Sequence, residues 1–200
     1  MPDLGWKYPP KILPLSGRRH WEDVRDFAGV SLADKLNAFI ADVLATPRLT
    51  TVFCPSGTYE LGGYVDPWTL DALYSVEFMG AGRSTVFTRT PQPGPTRVYL
   101  QLDNCSELRF TRIRFSGGTY ISGTDSINIE LVDCVLSDVH LSGKNPADDP
   151  MYDFARNRVS TIDVESGTTA IVVLRDNLLV REAGITDRGD RTDMSTSVQR

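Results

Sequence analysis

The sequence predicts an all-β solenoid, a single stack of short strands with one amphipathic helix at its start. Three observations lead there. After residue 50, short runs rich in Val, Ile, Phe and Thr alternate with Gly, Asn, Asp and Pro. Four segments of one shape recur at near-constant spacing, as stacked coils require. Only one stretch, ahead of the strands, has helical periodicity, which argues against alternating strand–helix units.

The helix is Ser31-Leu-Ala-Asp-Lys-Leu-Asn-Ala-Phe-Ile-Ala-Asp-Val-Leu-Ala45. Ser31 is a suitable N-cap, with Asp34 three residues on. Leu32, Leu36, Phe39, Ile40, Val43 and Leu44 recur on one side, and Pro47 helps end the run. A single apolar side on a short helix means that it covers something apolar. The strand runs that follow are 51–54, 75–80, 85–90, 97–102, 107–115, 126–136, 157–164 and 169–180. Within them, a polar or charged residue leads into a short apolar run at Arg112-Ile-Arg-Phe115, Asp133-Cys-Val-Leu136, Arg156-Asn-Arg-Val159 and Asp176-Asn-Leu-Leu179. Their starts lie 21, 23 and 20 residues apart. An antiparallel sandwich also spaces its strands regularly and stays open as the alternative.

At 200 residues the chain fits one domain. The expected division is an extended arm over residues 1–22, a single β-domain over 23–185, and a polar tail over 186–200. Pro2, Pro9, Pro10 and Pro14 rule out a regular helix in the arm. Trp6, Tyr8, Ile12, Leu13 and Trp21 make it a candidate contact with the body of the protein or with a neighbouring subunit. A net charge of −5 argues against a surface built for nucleic acid. It leaves room for a local basic patch such as Arg109, Arg112 and Arg114, although these arginines also read as the solvated side of a strand, the favoured reading. Three cysteines, Cys54, Cys105 and Cys134, with no CxxC pair, fit buried free thiols better than a disulfide framework or a zinc site. Neither a basic-then-apolar leader nor an apolar run of about 20 residues is present. The expectation is a soluble protein made in a cytoplasm, with no membrane or nucleic-acid partner and no cofactor.

The front end carries a resemblance. Val24-Arg-Asp-Phe27, the helix, Pro55-Ser-Gly-Thr-Tyr59 and Gly80-Ala-Gly-Arg-Ser-Thr-Val86 together resemble the start of right-handed parallel β-helix proteins of the pectate-lyase superfamily, especially phage tailspike-like members. The match covers residues 23 to 90. Ser31-Leu-Ala-Asp34 stands where that family has Asp-Asp-Thr before its helix. The resemblance implies a right-handed parallel β-helix with an N-terminal capping helix. Five or six coils, stacked about 4.8 Å apart, would stand roughly 25–30 Å tall, short for this superfamily.

The superfamily's enzymes cleave acidic polysaccharides with clustered Asp residues, or with Arg and bound calcium. Asp148 and Asp149 are the candidate carboxylate pair for general acid–base work. Pro146 and Pro150 around them, and the opposite directions of adjacent strand residues, favour a plain surface turn. The Gly-His-Gly and Arg-Ile-Lys companions of polygalacturonases are missing, with His20 and His140 the only histidines. The Arg-x-Pro-x-x-Arg pattern of pectate lyases starts at Arg89 and Pro91 but meets Gly94 at its sixth position. Asp187, Asp190 and Asp193 offer oxygens without the spacing of an EF-hand loop. Cys54, before Pro-Ser-Gly, has neither a helix signal nor a specified His partner, and reads as a small core residue. No metal or cofactor site is expected.

Two functions are therefore carried forward. The favoured one is a structural virion protein, a phage capsid decoration, cement or head-spike protein. It would be a homotrimer, assembled in a host cytoplasm and held to the major capsid or another virion protein through its arm. It is expected to be no enzyme, with surface glycan as a further partner. The alternative is a small polysaccharide lyase or glycoside hydrolase-like tailspike domain acting on acidic surface glycans. Tyr59, Tyr64, Trp68, Tyr74 and Tyr120 are the candidates to stack on sugar rings.

Overall fold

Strand runs in this chain end where the backbone turns left-handed. The computed structural model describes residues 19–91, 93–94, 97–144, 150–165, 168, 171–179, 185–187 and 194–199. Trp6, Tyr8, Ile12, Leu13, Asp148 and Asp149 lie outside these residues. In chain order the elements are β1 (His20–Asp23), a 3-10 turn (Val24–Asp26), α1 (Leu32–Ala45), β2 (Thr50–Cys54), β3 (Gly57–Leu61) and β4 (Trp68–Asp71). There follow β5 (Val76–Gly80), β6 (Thr85–Arg89), β7 (Val98–Asp103), β8 (Ser106–Thr111), β9 (Arg114–Phe115), β10 (Thr119–Thr124) and β11 (Ile127–Val132). The last are β12 (Val135–Lys144), β13 (Pro150–Ala155), β14 (Arg158–Val164), β15 (Ile171–Leu179), β16 (Ile185–Asp187) and β17 (Met194–Gln199).

Among the described residues all pairings are parallel, and their 17 strands form one sheet that winds as a solenoid. Three columns of stacked strands result. Face one runs β1–β2–β5–β8–β11–β13–β15–β17. Face two runs β3–β6–β9 and then the first halves of β12 and β14 to the end of β15. Face three runs β4–β7–β10, the second halves of β12 and β14, and β16. Chain order visits the faces in turn, so strands pair with the segment one coil later, which is the next strand in sequence only for β1–β2 and β14–β15.

The four repeat starts of the sequence all sit at the corner between faces one and two. Arg112, Asp133, Arg156 and Asp176 have φ of 56°, 54°, 54° and 51°. Asp adopts this region at modest cost, whereas Arg needs its surroundings to hold it there. Backbone bonds between coils do so: Arg112 N–H donates to Val132 O, Asp133 N–H to Ala155 O and Arg156 N–H to Arg175 O. The sequence runs 107–115 and 126–136 are each broken by this corner into two strands on different faces. The corner between faces three and one holds two more such stacks, Ala72–Asn104–Asp125 and Ser75–Glu107–Asn128.

The residue after each corner turns inward, where its buried backbone needs partners. Asn157 Oδ1 accepts from Cys134 N–H at 2.8 Å, and Asn157 Nδ2 donates to Leu131 O at 2.7 Å. One coil on, Asn177 Oδ1 accepts from Asn157 N–H and Asn177 Nδ2 donates to Phe154 O. At the opposite corner Ser126 Oγ accepts from Cys105 N–H and donates to Leu102 O. Cys134 and Cys105 send their thiols to backbone carbonyls in the same stacks, and burial pushes both thiols up to about 12. Cys54 is fully buried as well, and burial raises its thiol. The three cysteines are core material.

Inward positions stack by type. Face one stacks Val52, Phe78, Phe110, Leu131, Phe154 and Leu174; face two stacks Tyr59, Phe87 and Phe115. Among the first three coils aromatic rings fill the interior. Phe78 and Phe110 lie parallel at 5.0 Å, and Trp68 meets Phe78, Phe87 and Phe110 edge-on. Helix α1 opens with a complete capping box: Ser31 Oγ accepts from Asp34 N–H while Asp34 accepts from Ser31 N–H. The helix buries Ala33, Leu36, Phe39, Ile40 and Val43 against β3, and Phe39 reaches the ring of Phe78 at 6.2 Å. It therefore lies over the interior of the first coil.

Gly80, from the glycine-rich front-end motif, has a steric task. A Cβ there would stand 2.4 Å from Arg112 O and 2.9 Å from Ile113 Cγ1, in the corner one coil on. Gly80→Ala is expected to destabilise the chain by about 1–3 kcal/mol, since the obstacle is backbone held in register. Urea unfolding reads the loss; a shift under half a kcal/mol would mean that the corner yields.

At the other end, residues 194–199 were expected to be tail but form β17, which pairs with β15 and adds a rung to face one. Among the described residues β17 pairs along one edge only, with β15.

Candidate functional site

Outward positions on face three carry a continuous row of aromatic and hydrogen-bonding side chains that includes the sequence-predicted Tyr120. Parallel register puts Tyr99 beside Tyr120, Tyr120 beside His140, and His140 beside Asp163. The rings of Tyr99 and Tyr120 stack at 5.0 Å with 28° between planes. Tyr64, 59% exposed in the loop before β4, meets Tyr99 edge-on at 5.4 Å. That loop is held in place by Tyr99 N–H donating to Gly62 O. Three tyrosines thus make a ladder across adjacent coils, and polar groups continue it.

Tyr120 Oη donates to Glu165 Oε2 at 3.0 Å and lies 2.9 Å from Ser142 Oγ. Burial raises the Tyr120 phenol above its ordinary range, and the bond to the Glu165 carboxylate adds to this. His140 Nδ1 is 3.3 Å from Asp163 Oδ2, both side chains being mostly covered. Beneath the row, the buried phenol of Tyr152 donates to Ser142 O and fixes that strand from inside. Gln101, in the neighbouring outward row, donates to Asp103 Oδ2 at 2.7 Å. The arrangement offers flat rings for stacking, carboxylate oxygens for hydroxyl donors, and a histidine with an aligned carboxylate.

The sequence candidates divide clearly. Tyr64 and Tyr120 join the ladder. Trp68 does not: it points inward, is 6% exposed, and donates Nε1–H to Asn37 Oδ1 on α1. Its strand register sets it opposite the inward Leu100, so no sugar ring can reach it. Tyr59 is fully buried, with its hydroxyl donating to Pro55 O. Tyr74 is half-buried at the corner between faces three and one, away from the ladder. Trp21 stands 66% exposed on β1, whose outer edge pairs with no other described strand. Arg109 lies on the outer side of face one and pairs with Glu130 at 3.2 Å. Tyr99, Ser142, His140, Asp163 and Glu165 were not singled out from sequence. Tyr99, Tyr120, His140 and Asp163 do recur at 21, 20 and 23 residues, the coil spacing already read from the corners.

No family model, curated protein or solved structure matches the chain. Among the described residues, no group of three or more His, Cys, Asp or Glu side chains is placed to hold a metal ion. No described helix is long and apolar enough to cross a membrane.

Proposed function

We propose that this chain is a glycan-recognising structural protein of a phage particle, a short right-handed parallel β-helix of the pectate-lyase superfamily with a tailspike-like front end. The observation that carries the glycan part is the ladder Tyr64–Tyr99–Tyr120. Aromatic rings repeated once per coil give successive sugar rings a flat apolar surface, with Ser142, Glu165 and Gln101 beside them to meet hydroxyls. The carboxylates along this row favour neutral sugars over acidic ones. The particle part is supported by the front-end motif, in which Val24 and Tyr59 enter the core and Gly80 seats the next coil. The decoration, cement or head-spike role, the homotrimer and the docking to a capsid protein through the arm and Trp21 complete this reading.

Titration with neutral and acidic oligosaccharides tests it, with cleavage products assayed in the same samples. Tyr99→Ala and Tyr64→Ala are expected to weaken neutral-glycan binding roughly tenfold, the scale of a lost aromatic anchor. Unchanged binding in both variants overturns the ladder. Mass measurement of the intact protein, free and mixed with particles, tests trimer and docking.

The alternative, a polysaccharide-cleaving enzyme, draws on His140–Asp163 and Tyr120–Glu165 beside the same ladder. New reducing ends or unsaturated products, abolished by Glu165→Gln or His140→Ala, would establish it.

A further inference from the structure

The corner between faces one and two carries a second surface feature, on a different side of the solenoid from the tyrosine ladder. A groove of about 350 Å³ lies there, lined among others by Arg83, Arg112, Asp133, Val135, Arg156 and Arg158. Four arginines and one aspartate are among its lining, in a chain whose net charge is −5. Asp133 is already engaged: Arg156 grips it bidentately, Nε to Oδ1 at 2.9 Å and Nη2 to Oδ2 at 2.8 Å. Asp176, one coil further, also acts on Arg156. Arg83, Arg112 and Arg158 have no side-chain hydrogen bond or ion pair among the described residues, and all three are exposed.

The coil register explains how the arginines collect. Arg112 and Arg156 occupy the same corner position two coils apart, with Asp133 between them. Arg158 follows on face two, next to Val135 of the coil before. Two rungs separate the walls by about 10 Å, with Val135 and the engaged Asp133 as the floor. Arginines lining both walls suit a ligand that presents oxygens in several directions. A planar carboxylate offers one edge; a tetrahedral phosphate or sulfate offers oxygens to both walls. The room left beyond one such anion, at about 30 Å³ per displaced water, admits a carrier the size of a single sugar.

We propose that this corner groove binds a tetrahedral oxyanion, phosphate or sulfate, free or esterified to a sugar, through Arg83, Arg112 and Arg158, with Arg156 held in place by Asp133. The site is independent of the glycan ladder and of the particle reading.

Calorimetric titration of the full chain at physiological ionic strength tests it, using sodium phosphate, sodium sulfate, glucose phosphate, a sulfated glucosamine and sodium glucuronate as probes. At least one phosphate or sulfate probe is expected to bind saturably and more tightly than glucuronate. Binding of the free ions marks an ion site, and binding of the esters alone marks a sugar-borne anion. Arg112→Asn and Arg158→Gln are each expected to weaken that binding roughly tenfold, the scale of one charge-assisted hydrogen bond. Asn is chosen at 112 because it tolerates the left-handed corner, while 158 lies on a regular strand, and circular dichroism confirms that each variant is folded. Asp133→Asn is expected to tighten binding by removing the carboxylate charge from the groove lining. Arg25→Gln, on the 3-10 turn and outside the groove, removes the same charge and leaves binding unchanged. No saturable binding of any phosphate or sulfate probe, glucuronate binding as well as they do, or full binding by Arg158→Gln would each overturn the proposal.

Discussion

Phe78→Ala is expected to cost about 3–5 kcal/mol of stability, read as a lower urea midpoint at unchanged slope. The ring is fully buried and sits where three parts of the molecule meet. It stacks on Phe110 of the next coil at 5.0 Å, takes the edge of Trp68 from face three at 6.0 Å, and touches Phe39 of α1 at 6.2 Å. The space left by its removal cannot close readily. Rung spacing is fixed by backbone hydrogen bonds on both sides, and the neighbouring rings are themselves wedged by Phe87 and Phe115. Such sites lie at the costly end of large-to-small substitutions because little relaxation is available. A double-mutant cycle with Phe110→Ala should return a coupling of about 0.5–1.5 kcal/mol for the stacked pair. A loss below 1 kcal/mol for Phe78→Ala would show that the aromatic column is not continuous.

Asn157 is the second sensitive position, and two substitutions separate its roles. Asn157→Ala strips the partner from Cys134 N–H and from one side of Leu131 O, both inside the corner. The expected loss is about 2–4 kcal/mol, the range for leaving buried polar groups unmatched. Asn157→Asp keeps the acceptor for Cys134 N–H but can donate to Leu131 O only when protonated. Burial and the facing carbonyl both disfavour its carboxylate, so its folded pKa rises above the unfolded value of about 3.9. The folded chain then binds the extra proton, and stability falls as pH rises through the raised pKa. Asn157→Asp should therefore be less destabilised near pH 4 than near pH 7, measured against wild type at each pH. Equal destabilisation at both would mean that the Nδ2 bond to Leu131 contributes nothing.

Much of the scaffold was legible because its signals are local. Ser31 and the 3.6-residue rhythm after it located α1, and its capping box with Asp34 follows from residues three apart. Arg112, Asp133, Arg156 and Asp176 stood out as repeat starts because a charged residue at an exposed left-handed corner leads, within three residues, into the buried or apolar positions of the next strand. Strands β3, β4, β10 and β13 were harder to see. Gly57–Leu61 and Thr119–Thr124 alternate in burial, but they are short and Thr119 and Gly123 take inward places, so the alternation is blurred in the sequence. Trp68 shows the limit for the site. Its inward direction depends on the register of β4 against β7, and a shift of one residue would have turned it outward. Tyr99 was hidden within an apolar run, and only its distance of 21 residues from Tyr120 ties it to the ladder. Residues that are far apart along the chain meet because coils differ in length while their corners stay aligned.

The corner bonds also give the solenoid a direction. Cys134 N–H waits for Asn157, Asn157 N–H for Asn177, and Cys105 N–H for Ser126, in each case a side chain one coil later. At these three corners the inward backbone of one coil is completed by the side chain of the next, so each coil relies on its successor for a buried partner. A chain cut short just before Ser126, Asn157 or Asn177 would leave that N–H to water instead of to a side chain.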